Sequence, residues 1–266
     1  MERFMHPLLR AVRSNAPAIG MFVMEFASRG VPWIAKNAGL DFLVYDTEHG
    51  NLSRAEVRDG VLACRAVGLT PLVRVRAPRR DDVCPPLDAG ALGIIAPMIE
   101  TPEQAATLAD LARYYPRGSR GTCFGIAHDL YDQTQDAVDV MAAADAAVMV
   151  IPQVETAAGV EAVDEIAAVD GVDIIWVGHY DLSQSLGIPG QFEHPAFLAA
   201  MEKIAASALA HGKAVARLVP SPSAAEDWAR KGYTVFSLSS DVRLLGQALS
   251  SGAAELRGKV TALHGG

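Results

Sequence analysis

The sequence FLVYDTEHGN, residues 42–51, changes from strand-forming to polar residues at its midpoint. The four residues before Asp46 are of the types that favour buried strands, and Glu48 and His49 follow closely. In parallel α/β folds, functional groups gather beyond the carboxyl ends of the strands. The stretch therefore predicts a buried parallel strand that ends at a polar site.

Seven other runs of the same kind occur along the chain, separated by alanine-rich segments of helical period. The predicted strands are residues 18–24, 41–46, 71–75, 93–97, 147–155, 173–178, 214–219 and 234–239. The predicted helices include residues 53–67, 102–113, 156–169, 195–211, 223–230 and 241–249. Nearly continuous apolar strands are typical of a parallel sheet that is buried on both faces. The pattern predicts one (β/α)8 TIM barrel domain over residues 1–266, with a doubly wound sheet as the alternative.

The composition narrows the classes of partner. Half of the 266 residues are hydrophobic and the net charge is −8, which argues against nucleic acid or an anionic membrane as the main partner. No apolar run approaches the ~20 residues that span a bilayer, and no signal peptide is recognisable. Cys64, Cys84 and Cys123 are widely spaced, so we expect a reducing, cytoplasmic location and no cysteine-rich metal site.

Polar residues cluster at the predicted carboxyl ends of the strands, the end of the barrel called the mouth below. They are Glu25, Asp46, Glu48, His49, Arg74, Gln153, Glu155, Asp181, Arg217 and Asp241. The opposite ends carry fewer charges. Catalytic groups of such barrels lie at the carboxyl ends, so the sequence predicts a functional site at the mouth.

Two of these carboxylates are candidates for a metal site. Gln153 and Glu155 are two residues apart on one strand and therefore point to the same side. Asp181 follows the next strand, and adjacent strands lie about 4.8 Å apart, so Glu155 and Asp181 can converge on one ion. Oxygen ligands favour Mg²⁺ or Mn²⁺. The alternative is that Glu155 caps the following helix and Asp181 begins a short one.

The remaining candidates have both a functional and a structural interpretation. His49 is a metal ligand, a base or a buried hydrogen-bonded histidine. Asp88 precedes the fourth strand and either orients His49 or ends a helix or turn. Arg74 closes the third strand inside the mouth, where a buried guanidinium needs an anion such as a carboxylate or a developing enolate.

The chain contains five lysines, none of them at a predicted carboxyl strand end. They are Lys36, Lys203, Lys213, Lys231 and Lys259. Schiff-base catalysis therefore lacks its nucleophile.

The chain has no nucleophile-elbow or P-loop motif. The turns after the seventh and eighth strands lack a glycine-rich phosphate cradle, so we expect an unphosphorylated substrate.

Several motifs together resemble the HpcH/HpaI family of metal-dependent (class II) pyruvate aldolases. They are YDTEHG, PLVRV, LDAGALGIIAPMIETPEQA, YYPRGSRG, VIPQVET, GVDIIWVGHYDLSQSLG and HPAFLAAMEKI, in the family's order from about residue 41 to 218. The resemblance implies that Glu155 and Asp181 hold a divalent metal ion, Mg²⁺, Mn²⁺ or a similar ion such as Co²⁺. That ion chelates a 2-keto acid, and Gln153, Asp181 and the backbone at Tyr180 contact the substrate.

The resemblance also implies the catalytic roles and the assembly. His49 corresponds to the family's acid/base, assisted by Asp88, and Arg74 to the residue that stabilises the enolate. Members typically form homohexamers, as trimers of dimers, and exchange a C-terminal helix between subunits. The implied reaction is reversible cleavage of a 4-hydroxy-2-keto acid to pyruvate, or a related 2-keto acid such as hydroxypyruvate, and an aldehyde.

Two features depart from the family pattern. His179 replaces a common proline, and Cys123, Phe124 and His128 follow the G-x-R-G motif where small residues are frequent. The segment 114–136, which contains Cys123, Phe124 and His128, is long for a barrel connection, and we expect it to be functional or mobile.

The alternative activities are a citrate-lyase-like acyl-CoA carbon–carbon lyase and a 2-keto acid (oxaloacetate) decarboxylase. A non-catalytic metal-binding barrel is the third alternative.

Overall fold

The computed structural model describes residues 5–264 and contains a closed barrel of eight parallel strands in chain order. The strands are β1 (Ala18–Val23), β2 (Phe42–Asp46), β3 (Thr70–Arg74), β4 (Gly93–Ala96), β5 (Met149–Val154), β6 (Ile174–Val177), β7 (Ala214–Val219) and β8 (Val235–Ser240). Because β8 pairs with β1, the sheet has no edge strands. This confirms the predicted (β/α)8 barrel against the doubly wound sheet. The predicted domain also includes residues 1–4 and 265–266, which lie outside the described residues.

Helices alternate with the strands around the barrel. They are α1 (Pro7–Ser14), α2 (Val31–Asn37), α3 (Arg54–Val67), α4 (Arg80–Asp88), α5 (Pro102–Ala112), α6 (Ala137–Ala147), α7 (Ala157–Glu161), α8 (Val163–Ala168), α9 (His179–Ser185), α10 (Pro195–Ala210), α11 (Pro222–Arg230) and α12 (Asp241–His264). The helix predicted at 156–169 is divided into α7 and α8, which meet at Ala162. The helix predicted at 241–249 continues to His264.

Local signals in the sequence explain where the central helices begin and end. Ser53 and Glu56 form a reciprocal capping box at the start of α3, and Gly68 ends the helix with φ 74°. Thr101 and Gln104 form the same box at the start of α5, where a proline occupies the first turn. These caps satisfy backbone groups that the helix itself leaves unpaired.

The core has two layers, one inside the barrel and one between the strands and the surrounding helices. Inside the barrel, the Trp176 ring meets the rings of Phe22 and Phe42 edge-on. Leu8 and Leu9 of α1 belong to the same inner cluster, and Thr70 at the start of β3 accepts a hydrogen bond from the Leu8 amide. Helix α1 therefore covers the amino-terminal end of the barrel and leaves the mouth as the open end.

The long connection at 114–136 contains one short 3-10 helix, Ala127–Asp129, and is attached to the barrel by specific hydrogen bonds. The Arg65 guanidinium donates to the carbonyls of Ala127 and His128 at 3.1 and 2.7 Å. Arg120 reaches Asp88 at 3.4 Å. Among the described helices, none has the length and apolar character needed to cross a membrane.

Candidate active site

A cavity of about 220 Å³ opens at the mouth of the barrel. Its polar lining includes side chains from the ends of four strands, and these are His49, Arg74, Gln153, Glu155 and Asp181. All five are among the site residues that the sequence predicts. The fold brings them to one cavity because the carboxyl ends of parallel strands meet at the same end of a barrel.

Glu155 is the most deeply buried carboxylate of the cavity, with 2% of its surface exposed. Its Oε1 accepts a hydrogen bond from the Met98 amide at 2.7 Å, and its Oε2 accepts one from Gln153 Nε2 at 2.6 Å. Burial raises the pKa of Glu155, although these two hydrogen bonds oppose the shift. A buried carboxylate with only neutral partners is suited to binding a cation.

Asp181 lies in the first turn of α9, immediately after β6, and is exposed to the cavity. It lines the same cavity as Glu155, and its charge adds to the upward shift of the Glu155 pKa that burial causes. Gly178 lies between β6 and α9, and any side chain there would overlap Glu155 Oε2. The absence of a Cβ at position 178 thus gives the Glu155 carboxylate its space beside α9.

The donor set fits a hard divalent cation with an incomplete protein shell. Gln153 Oε1 is buried without a hydrogen-bond partner, and the same side chain contacts the Glu155 carboxylate. Across residues 5–264, no group of three or more His, Cys, Asp or Glu side chains is arranged to hold a metal ion. The protein therefore offers two carboxylates, so most of the coordination sites of an octahedral ion would be left for water and substrate oxygens.

Arg74 is held at the inner end of the cavity by two carboxylates of the protein itself. It donates to Asp46 through Nε at 2.9 Å and Nη2 at 2.6 Å, and its Nη1 lies 3.1 Å from Glu48 Oε2. Its guanidinium also lies over the Phe22 ring, 5.0 Å from the centroid. Burial alone lowers the pKa of Arg74, but Asp46 and Glu48 offset this and the net shift is upward. The anion that the sequence required at Arg74 is therefore Asp46.

His49 is largely exposed, with 57% of its side chain accessible, and faces the rim of the cavity. Its Nε2 lies 3.8 Å from Glu48 Oε2, and its backbone amide approaches Asp46 Oδ1 at 3.5 Å. Burial raises the pKa of Glu48, while Arg74 and His49 oppose the shift. Of the three interpretations given above, the structure excludes a buried, hydrogen-bonded His49.

The charged partner of Asp88 within this chain is Arg120, so assistance of His49 by Asp88 stays a prediction. Asp88 is the last residue of α4, and its Oδ1 pairs with Arg120 Nη2 at 3.4 Å. Within residues 5–264 it forms no hydrogen bond or ion pair with His49. Because α4 leads into the amino-terminal end of β4, its last residue lies on the side of the barrel away from the mouth. The helix-end interpretation is the one that the fold supports.

The aromatic residues beside Asp181 form one cluster. The His179 ring lies 4.7 Å from the Tyr180 ring and 5.2 Å from the Phe192 ring. Burial, with Arg217 and Arg243 as secondary causes, lowers the pKa of His179 to about 4. His179 is therefore neutral at pH 7 and packs at the start of helix α9. The Tyr180 side chain is half exposed at the rim of the cavity.

Arg217 does not line the cavity at the mouth, where the sequence predicts it. Its guanidinium lies over the Trp228 ring of α11 at 4.3 Å, in the layer between the strands and the helices. Burial lowers its pKa to about 10. Arg217 ends up outside the barrel because alternate residues of a strand point to opposite faces, and Leu218 takes the position that lines the cavity.

Three contributors were missed by the sequence analysis. Asp46 had no assigned role, although Asp46 and Arg74 both lie at predicted strand ends and their charges are opposite. The register Asp46↔Arg74 between β2 and β3 makes them direct neighbours. The Met98 amide and the Phe22 ring had no sequence signal, because backbone donors and core aromatics are common everywhere.

A larger cavity of about 340 Å³ lies beside the mouth, between the 47–52 turn, α3 and α4. Its buried acid, Asp82, already binds Arg76 at 2.6 Å and Arg79 at 2.9 Å. Because these charges satisfy one another, the smaller cavity with unpaired oxygen ligands is the better candidate for chemistry.

Comparison with known proteins gives consistent similarities. A model of the HpcH/HpaI aldolase/citrate lyase family matches residues 19–248. The chain is 30% identical to a hydroxypyruvate/pyruvate aldolase of Cupriavidus necator, over 95% of this chain and 93% of that protein. It is also 30% identical to a 2-keto-3-deoxy-L-rhamnonate aldolase of Klebsiella pneumoniae, over 92% and 90% of the two chains. A crystal structure of an HpcH/HpaI aldolase/citrate lyase family protein from Burkholderia cenocepacia superposes with a TM-score of 0.88 at 33% identity, covering 95% of this chain and 100% of that one.

Proposed function

The chain belongs to the HpcH/HpaI aldolase/citrate lyase family, and on that premise we propose that it is a class II aldolase acting on 4-hydroxy-2-keto acids. The products are pyruvate, or a related 2-keto acid such as hydroxypyruvate, and an aldehyde. The observation that carries the proposal is that two carboxylates, the buried Glu155 and Asp181, line one cavity. The described lining of that cavity includes no lysine. Carboxylates without a lysine favour a metal-assisted rather than an imine mechanism.

Glu155 and Asp181 are the proposed ligands of a divalent ion, Mg²⁺, Mn²⁺ or a similar ion such as Co²⁺. A bound divalent ion supplies Lewis-acid polarisation of the carbonyl and carboxylate oxygens of the keto acid. Gln153 orients Glu155 through the 2.6 Å hydrogen bond and contributes a free buried Oε1 to the cavity. The backbone amide at Tyr180 is the remaining proposed contact of the keto acid.

Proton transfer is assigned to His49 and charge stabilisation to Arg74. In the cleavage direction, His49 takes the proton of the 4-hydroxyl group as the C3–C4 bond breaks, and the aldehyde leaves. The electron pair of that bond remains on the keto-acid half as an enolate, which then takes a proton at C3. Arg74, fixed by Asp46, presents its positive charge to that half without having to reorganise. Assistance from Asp88 stays a prediction, because its partner within the chain is Arg120.

The proposal extends to assembly and location. Helix α12 exposes large apolar side chains along its length, including Leu245, Leu249, Leu256 and Leu263. An exposed apolar face of this kind supports a homo-oligomer in which α12 packs on a neighbouring subunit, as in a hexamer built as a trimer of dimers. The three cysteines are all free, which supports the cytoplasm as the place of action.

The test is a coupled assay for pyruvate release across a panel of 4-hydroxy-2-keto acids. Activity should disappear with EDTA and return with Mg²⁺ or Mn²⁺. Glu155→Gln and Asp181→Asn should lose both metal binding, measured directly by calorimetry, and turnover. Glu161→Gln, an exposed carboxylate on α7, is the matched control and should behave as the wild type. Full activity after exhaustive chelation would exclude the metal-dependent mechanism.

A second measurement separates the two classes of aldolase. Borohydride in the presence of pyruvate reduces an imine to a stable adduct, so the mass of a class II enzyme stays unchanged. An adduct on any of the five lysines contradicts the proposal. The same assay with oxaloacetate and with acyl-CoA substrates distinguishes the aldolase from the decarboxylase and the acyl-CoA lyase.

A further inference from the structure

Asp241, the first residue of α12, holds the backbone that follows β1. Its Oδ1 accepts hydrogen bonds from the amides of Met24 at 3.0 Å and Val242 at 2.8 Å. Its Oδ2 accepts from the amides of Glu25 at 3.0 Å and Phe26 at 2.8 Å. An ionised carboxylate has about four acceptor sites, so these four donors use its full capacity. The carboxylate is buried, with 7% of the residue exposed.

The segment held by Asp241 is part of the mouth. Met24 lines the cavity together with His49 and Glu155. The Met24 carbonyl also packs against the turn that carries His49, since a Cβ at Gly50 would lie 2.9 Å from that oxygen. Displacement of the Met24 backbone therefore changes the outline of the cavity on this side.

The position of this segment assigns it to one half of the substrate. In the closed barrel, β1 is four strands away from β5 in either direction, so Met24 faces Glu155 across the mouth. The proposed keto-acid contacts, Glu155 and Asp181, follow β5 and β6. His49 follows β2, which is the neighbour of β1. A substrate that reaches from the keto-acid contacts past His49 therefore extends towards Met24.

We propose that Asp241 is a positioning residue that fixes residues 24–26 as the wall of the subsite for the aldehyde half of the substrate. It touches no substrate atom and acts through the backbone amides that it holds. The proposal rests on the aldolase function proposed above. Its specific content is that the affinity for the aldehyde depends on Asp241, whereas the handling of the keto acid does not.

Asp241→Asn is the informative variant, and Asp41→Asn is its matched control. Asparagine keeps one acceptor oxygen but turns an NH₂ group towards two backbone amides, which are also donors. Asp41 lies just before β2, at the other end of the barrel, and its Oδ2 accepts from the Ile19 amide of β1 at 2.9 Å. The control therefore removes a carboxylate bond to the same strand at the end away from the mouth.

Three measurements on the full chain test the proposal. The first is aldol addition of pyruvate to propanal, which gives the KM of the aldehyde. The second is exchange of the pyruvate methyl protons in D₂O followed by NMR, which involves the keto acid alone. The third is hydrogen–deuterium exchange of the amides of residues 24–26, which needs no activity.

For Asp241→Asn we expect a rise of about tenfold in the KM of propanal, because small misplacements of a substrate-contacting wall are costly. Pyruvate exchange should keep its wild-type KM and rate, and the amides of residues 24–26 should lose protection. Asp41→Asn should match the wild type in all three measurements at the mouth.

Unchanged aldehyde KM or unchanged amide protection in Asp241→Asn overturns the proposal. Parallel losses in aldol addition and pyruvate exchange also overturn it, because Asp241 would then support the whole site. If the wild type performs neither reaction, the proposed function fails and the aldehyde subsite with it. An active wild type with an unaffected variant removes only the role of Asp241.

Discussion

The Arg74 guanidinium and the Asp46 carboxylate form a two-point ion pair at the inner end of the mouth, with Nε–Oδ1 at 2.9 Å and Nη2–Oδ2 at 2.6 Å. They are the last residues of β3 and β2 and lie opposite each other in the register of the two strands. Asp46 is fully buried, and 11% of the Arg74 side chain is exposed. The planar guanidinium is thereby fixed in orientation before any substrate arrives.

Asp46→Asn should destabilise the protein by about 3–5 kcal/mol, the usual cost of removing one partner from a buried ion pair. The reason is that Arg74 remains buried and charged with Glu48 as its main counterion. Urea unfolding at pH 7 measures the change. Asp59→Asn, which removes the partner of the exposed Arg29, is the control and should leave the midpoint unchanged. An unaltered midpoint in Asp46→Asn would show that the pair contributes no net stability.

Gly178→Ala should damage the proposed metal site without altering its ligands. The added Cβ would overlap Glu155 Oε2 and would lie 3.0 Å from Gln153 Nε2. We expect at least a ~10²-fold loss of aldol cleavage, because the Glu155 carboxylate must move. Calorimetric titration with Mn²⁺ should show weaker binding in parallel. Gly252→Ala in α12, where a Cβ has no neighbour within 4 Å, is the control and should retain both properties.

His49→Ala should reduce aldol cleavage by about 10²–10⁴-fold, the usual range for loss of a general acid or base. Oxaloacetate decarboxylation needs no base at a 4-hydroxyl group and should survive better than cleavage. Metal affinity should stay near the wild-type value, since His49 is exposed at the rim and transfers protons in the proposed mechanism. A joint loss of both activities and of bound metal would make His49 a ligand instead.

His6 predicts a pH dependence of stability at the closed end of the barrel. Its Nδ1 accepts a hydrogen bond from the Leu9 amide at 3.3 Å, which assigns the ring proton to Nε2, 2.9 Å from the Ala147 carbonyl. Burial, reinforced by nearby arginines, lowers the pKa of His6 to about 4, against 6.5 for a free histidine. The unfolded chain therefore binds this proton first as the pH falls.

The stability that depends on neutral His6 is fully present above pH 6.5 and is lost as the pH falls towards 4. The slope from this one group is up to about 1.4 kcal/mol per pH unit. His6→Asn keeps an N-cap acceptor for α1 but does not titrate, so it should be less stable at pH 7 and less sensitive to acid. Urea unfolding between pH 7 and pH 4 tests this. Equal acid sensitivity of variant and wild type contradicts the assignment.

The architecture and the location of the site could be predicted from the sequence because both depend on local patterns. Apolar strands of four to six residues alternating with helical segments report burial on both faces of a sheet, and this pattern predicted all eight strands to within about two residues. Polar residues at the carboxyl ends, such as Glu155 and Asp181, then predicted where chemistry would occur. Helices with weak periodicity or internal proline, such as α4, were not predicted, because tertiary packing determines them.

The partners of the polar side chains were decided by the tertiary structure. Strand register pairs Asp46 with Arg74, and the path of the long connection pairs Arg120 with Asp88. The course of the chain after β8 places Asp241 against amides that lie more than 200 residues earlier. A hydrogen bond needs its two atoms within about 3 Å, and whether two distant residues meet this condition depends on the whole fold. Burial and periodicity, in contrast, follow from the types and spacing of residues that are near one another in the sequence.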